Sequence, residues 1–156
     1  PVLSQARERA RITQARDMVG QIALAWQAYL ADYRMFPCNP PEDPDPNQPV
    51  PLDEMNADAV KILRGQSDYN SLGNHEYLEF RTNEYVSVTN GLRDPWGEFY
   101  RFVLDNGVGG DTKYDVQVRV PHQADFLHKS VAVWSRGPDK KSTAGADLKD
   151  DIKSWQ

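Results

Sequence analysis

Along residues 3–35 the apolar positions Ile12, Ala15, Met18, Val19, Ile22, Trp26, Tyr29, Leu30 and Tyr33 recur three or four apart or as adjacent pairs. That is the spacing of a helix with one buried stripe. No proline interrupts the run, so the pattern predicts a single long helix over residues 1–36. At about 1.5 Å per residue, roughly 30 residues reach about 45–50 Å, more than a domain of this size needs for its own packing. The stripe is dense over residues 18–33 and thin over residues 3–11. The second half is therefore expected to pack, and the first to form a basic, polar stalk where Arg7, Arg9, Arg11 and Arg16 face only Glu8. Three environments suit those arginines: a solvated face, an acidic neighbour or lipid headgroups.

Phe36 followed by Pro37 ends the helix, because the residue before a proline is pushed out of the helical region. Seven of the eleven prolines then fall between Pro37 and Pro51, mixed with Glu42, Asp43 and Asp45. This composition predicts an extended acidic surface loop over residues 37–52, read as a solvated connection or a recognition segment. A short helix is expected over residues 53–65, running from about Asp53 to Arg64, with Met55, Ala59, Ile62 and Leu63 on one face and Gly65 as its stop. After Asn70 the texture changes. Residues 85–88, 99–104, 114–120 and 131–134 are rich in β-branched and aromatic side chains with short alternations, and predict strands. The glycine-rich stretch 105–111 reads as the hairpin loop between the second and third of them. The expectation is one α+β domain over residues 1–156. Its long helix lies across one face of a small antiparallel sheet at 85–135, and residues 136–156 form a C-terminal loop.

Length and composition agree with one folded domain: 156 residues, 39% hydrophobic and 26% charged. No apolar run approaches the roughly 18–20 residues that cross a bilayer. The net charge of -5 disfavours nucleic acid as a partner, since phosphate binding needs a basic surface. Cys38 is the single cysteine, so no internal disulfide forms. Because the chain opens at Pro1 without methionine, basic leader or apolar core segment, it reads as a processed product or a piece of something longer.

Candidate chemistry is sparse. Gly107, Gly109 and Gly110 lack the Lys and Ser/Thr of a phosphate loop, and His75, His122 and His128 show no ligand pairing. No nucleophile and base stand together, which argues against an enzyme. Two stretches rise above this background. In Asp94-Pro95-Trp96-Gly97-Glu98-Phe99-Tyr100, Asp94 is placed to bond the backbone two residues on, Pro95 to set the first corner and Gly97 to allow the reversal, with Trp96 as an apolar anchor. The second stretch begins Val133-Trp134-Ser135-Arg136-Gly137-Pro138-Asp139 and ends Asp150-Asp151-Ile152-Lys153-Ser154-Trp155, a strand running into an aspartate-bearing loop closed by a tryptophan. Such a loop can gather the six to eight oxygens that a calcium ion takes. The competing reading balances the aspartates with Lys140, Lys141, Lys149 and Lys153. EF-hand spacing is absent, since Ala144 stands where glycine is needed when Asp139 is counted first.

Taken together and in this order, the long amphipathic helix, DPWGEFY at 94–100, VWSRGPD at 133–139 and DDIKSW at 150–155 resemble the major pseudopilins of bacterial type II secretion systems. The resemblance implies a pilin-like fold and a non-enzymatic structural subunit. It further implies an apolar helical segment upstream of Pro1 that anchors the subunit in the inner membrane, with the globular part in the periplasm. That segment would later form the core of a helical filament built with further copies and other pseudopilins on an inner-membrane assembly platform. Carried over by motif, calcium would take the backbone oxygen of Arg136 and the side chains of Asp139, Asp147, Asp150 and Asp151. The loop segment 140–144 departs from the glycine-rich, lysine-poor loop of that family, and the proline-rich segment exceeds its common pattern. A minor pilin or pilin-like adhesin is the alternative.

Overall fold

The computed structural model describes residues 2–38, 41–45, 50, 52–80, 86–87, 89–106, 120–121, 127–142 and 148–155. Its elements are α1 (Val2–Tyr33), α2 (Ala57–Leu63), β1 (Val86–Ser87), β2 (Gly91–Leu92), β3 (Arg101–Leu104), β4 (Val131–Ser135) and β5 (Ile152–Lys153). The arrangement is α+β, a long N-terminal helix laid on a small antiparallel sheet.

α1 divides as its stripe predicts. Ala15, Val19, Ile22, Ala23, Ala25, Trp26 and Tyr29 are buried, whereas residues 2–7 and 9–11 are exposed, with Val2 at 77% and Leu3 at 76%. Trp26 is the hub of the packed half, with ring centroids 5.1 Å from Phe102, 5.9 Å from Tyr29 and 6.3 Å from Phe36. The helix stops at Tyr33, earlier than expected from Pro37. Arg34 turns into the left-handed region at φ 64° while its N–H still bonds the Leu30 carbonyl at 2.8 Å. This reversal sets Phe36 beneath Trp26, and Asn106 fixes it there by accepting from the Phe36 N–H at 2.6 Å.

The short helix begins four residues later than expected. Residues 53–55 are extended and lie along β3. Met55 N–H donates to the Tyr100 carbonyl, Phe102 N–H to that of Asp53 and Leu92 N–H to that of Met55. Asn56 then caps α2, its side chain accepting from Asp58 and Ala59 N–H at 3.1 and 3.0 Å. Gly65 ends α2 as expected, at φ 68°. Its N–H bonds Ile62 O and that of Gln66 bonds Lys61 O, the paired closure that a left-handed residue allows.

In the three-stranded sheet β4 is central, flanked by β3 and β5, both antiparallel to it. Every β4 residue is buried because both faces are covered. Val131 and Val133 join Phe102, Ile152 and α1 on one side, and Ala132 and Trp134 join Val120, with Val103, Leu127 and Trp155 packed against them, on the other. This two-residue alternation is the pleat of the strand. β5 lies within the segment expected to be loop, and its pairing Ser135↔Ile152 brings the chain end back alongside the central strand as an edge of the sheet. β1 and β2 form a separate two-stranded ribbon. The strand expected at 114–120 and nearly all of the hairpin loop at 105–111 lie outside the described residues, apart from Val120, Asp105 and Asn106.

Candidate metal centre

The two motifs singled out by sequence meet at a buried hydrogen-bonded knot. Asp94 accepts from Trp96 N–H and Glu98 N–H at 3.0 Å each through Oδ1, while Gly97 N–H closes the turn onto the Asp94 carbonyl at 2.9 Å. Gly97 carries the reversal at φ 93°, the conformation its residue type permits without strain. The other carboxylate oxygen of Asp94, Oδ2, accepts from Ser135 Oγ–H at 2.7 Å, and Ser135 Oγ in turn accepts from Gly137 N–H at 3.1 Å. Both side chains are out of water, Ser135 at 0% and Asp94 at 3% exposure. Burial pushes the Asp94 carboxyl above the usual carboxylate range. The three donors pull in the opposite direction and keep the charged form tenable.

Trp96 extends this knot toward α1. Its indole Nε1–H donates to Glu8 Oε1 at 3.1 Å, placing the turn against the basic half of the helix. Glu8 also sits 3.7 Å from the Arg11 guanidinium. On the far side of the turn, Arg93 stacks its guanidinium 3.9 Å above the Phe99 ring and donates to the Gly97 carbonyl at 2.9 Å.

Beyond Ser135 the chain turns at Gly137, φ 65°, where a Cβ would collide with the backbone carbonyl of Asp150. That close approach, together with the β4–β5 pairing, brings Asp139 to Asp150 and Asp151. The three carboxylates place an oxygen each within 4.8 Å of one another, Asp139 exposed, Asp150 partly exposed and Asp151 buried. Asp150 Oδ2 accepts from Asp139 N–H at 3.1 Å, Asp139 Oδ1 from Lys141 N–H at 2.8 Å, and Asp151 Oδ2 from Ser142 Oγ–H at 2.6 Å. Lys140, in a left-handed conformation at φ 61°, directs its ammonium to Glu98 at 3.8 Å instead of into the cluster. Trp155 closes the segment edge-on to Trp134, their centroids 6.3 Å apart.

Of the five residues carried over by motif, Asp139, Asp150 and Asp151 come together. Asp147 lies outside the described residues. Arg136 adjoins the cluster in sequence, and its guanidinium Nε is buried with no hydrogen bond among the described residues. The donor set is all oxygen and anionic, which suits a hard divalent cation and not a thiolate- or imidazole-seeking metal. Sequence reasoning passed over Ser135, Ser142 and Glu8. For Ser135 a signal existed, a hydroxyl on the core-facing side of an otherwise apolar buried strand, which demands a partner.

A second feature lies at the other end of the molecule. A cavity of about 170 Å³ opens between Tyr29, Tyr33, Phe36, Tyr69 and the loop residues Pro41 and Pro44. No family model, curated protein or solved structure matches the chain. No described helix is long and apolar enough to cross a membrane.

Proposed function

We propose that this chain is a non-enzymatic structural subunit of a type II secretion pseudopilus, a pilin-like protein whose C-terminal loop holds calcium. The observation that carries the reading is the division of α1: 32 residues long, it buries its stripe only from Ala15 onward and leaves the half before it largely exposed. A domain that merely needed a core would have no use for those turns, whereas a filament built by helix stacking does. The knot joining Asp94 to Ser135 adds support, since it makes one unit of two of the three motifs on which the resemblance rests.

In this role α1 presents its exposed face to neighbouring copies, the sheet decorates the outside, and the aspartate loop stiffens the contact surface. Asp139, Asp150 and Asp151, with Asp147 and the Arg136 carbonyl, would be the calcium ligands, and the ion would cross-link the two ends of the connection that joins β4 to β5. The anchor would precede Pro1 and place the subunit in the inner membrane with its sheet in the periplasm. The chain joined to an apolar anchor of about 20 residues and supplied to secretion-competent cells is expected to form filaments visible by electron microscopy. Absence of filaments, with the protein folded and membrane-inserted, overturns the reading.

The aromatic and proline-lined cavity favours a second reading, a pilin-like binding module. It predicts ligand binding that survives loss of assembly, and narrowing the cavity by Ser71→Trp would then abolish binding while leaving filaments intact.

A further inference from the structure

We propose that Ser135, Asp94, Trp96 and Glu8 are positioning residues that couple the conformation of the C-terminal aspartate loop to the ordering of the exposed half of α1. The path consists of contacts that do not readily slip. Gly137 is wedged against the Asp150 carbonyl with no room for a Cβ, so movement of Asp150 moves Gly137. Gly137 N–H is bonded to Ser135 Oγ, and Ser135 Oγ–H to Asp94 Oδ2. Both of those side chains are fully or nearly fully buried, where a broken hydrogen bond is not replaced by water and is therefore costly. Asp94 Oδ1 holds the backbone of the very residue whose indole reaches Glu8. Lys140 adds a parallel contact from the loop to Glu98, the next residue held by Asp94.

The element with two arrangements is the Trp96 indole. Only partly buried, it either donates to Glu8 and pins the first turns of α1 to the sheet, or releases them to water. A loop drawn together fixes Gly137 and, through the buried pair, the corner that aims the indole. A loosened loop frees it. The trigger, a cation at Asp139, Asp150 and Asp151, rests on the reading proposed above, but the path itself does not require one. Coupling of this kind is reciprocal: whatever the loop does to the indole contact, loss of that contact does to the loop.

The experiment is millisecond-to-second hydrogen exchange on the full chain, with excess calcium chloride or with chelator, following residues 2–14 and 137–142 separately. In the unsubstituted chain calcium is expected to slow exchange at residues 2–14 by about fivefold, at the low end of usual couplings. Glu8→Ala, a surface change that keeps a good helix former, should erase that response while residues 137–142 still respond. Glu8→Gln, which retains an acceptor for the indole N–H, should restore it. Calcium affinity measured by calorimetry should fall in Glu8→Ala by the same factor and recover in Glu8→Gln. The coupling is overturned if residues 2–14 ignore calcium while the loop responds, or if Glu8→Ala leaves their response intact. If no calcium binds at all, the cation reading alone fails, and Asp150→Ala tests the path directly. That change should speed exchange at residues 2–14 in the unsubstituted background but not with Glu8→Ala, and equal effects in both overturn the coupling.

Discussion

A lone aspartate, Asp94, and a cluster of three, Asp139, Asp150 and Asp151, are linked in this fold through Ser135 and Gly137, and they are treated differently. Asp94 is 3% exposed, and its two oxygens are met by three donors of the protein itself. Asp139 and Asp150 lie toward solvent, and with Asp151 they turn carboxylate oxygens toward one another within 4.8 Å. In the first case the charge is consumed in building a turn. In the second, like charges are held together by a wedge of backbone at Gly137 and by strand pairing, and their mutual repulsion is available to be relieved by a cation. The same residue type is thus a structural knot where three donors converge on one carboxylate, and a ligand candidate where three carboxylates converge, although each of those also accepts a hydrogen bond. The largest test of that contrast is Asp94→Ala. It strands two partly buried N–H groups and the buried Ser135 hydroxyl, and is expected to cost about 4 kcal/mol, read as a lower urea midpoint. Asp94→Asn, whose carbonyl oxygen still accepts and whose amide can donate to Ser135, should recover most of it. A loss below about 1 kcal/mol in the alanine variant would show that the knot is not what holds the turn.

Gly137→Ala attacks the other side of the comparison. A side chain there is strained by the left-handed backbone and collides with the Asp150 carbonyl, so about 3 kcal/mol of stability should be lost together with the approach of Asp139 to Asp150. Chelator sensitivity, if present in the unsubstituted chain, should vanish with it. Calcium itself ranks next. At a free concentration of 100 times Kd it should stabilise by about 2.7 kcal/mol, seen as a raised melting temperature that chelator reverses and Asp150→Asn abolishes. No change on chelation and no metal by elemental analysis sink the calcium assignment while leaving the filament reading to its own test.

How much of this was legible beforehand follows from the range of the interactions. The division of α1, the end of α2 at Gly65 and the internal geometry of the Asp94 turn were readable, because each is set by residues within a few positions of one another. Trp155 closing the aspartate loop was readable as well, from its place in the pattern. What escaped depends on distant partners. Residues 53–55 looked like a helix start because Met55 continues the apolar face of α2, but the ladder groups of Tyr100 and Phe102 recruit them as extended chain, and Asn56 is the true cap. β5 looked like loop because two residues carry almost no strand pattern, and pairing with β4 decides them. Glu8 looked like an acid serving only the arginines around it, and only the fold shows that it has a further partner, Trp96, 88 residues away. For the aspartates, spacing suggested a common site, yet nothing local said that Gly137 would be the wedge that assembles it.

Acid titration sharpens the contrast further, with a smaller effect. Burial raises the folded-state pKa of Asp94 above its value in the unfolded chain, so the native state binds the extra proton in the window between the two. Stability contributed by this group is therefore highest below the unfolded carboxyl pKa of about 3.9 and falls as pH rises through the folded value. Asp94→Asn removes that loss. Its stability relative to the unsubstituted chain should rise across this window and then level off. A flat difference across the same range would mean that the three donors fully offset burial.

The smallest expected effect concerns the bridge between the two regions. Lys140 is half exposed and its ammonium stands 3.8 Å from Glu98, a separation at which a surface pair contributes little. Lys140→Ala should change stability by no more than about 0.5 kcal/mol. Its left-handed backbone, however, is tolerated by few residue types, so Lys140→Gly should stabilise slightly by relieving φ 61° even though it removes the same ion pair. If the alanine variant instead loses as much as Gly137→Ala, the loop is held by the Lys140 charge and not by the wedge at Gly137. The distinction between a backbone-built cluster and a charge-built one would then have to be reversed.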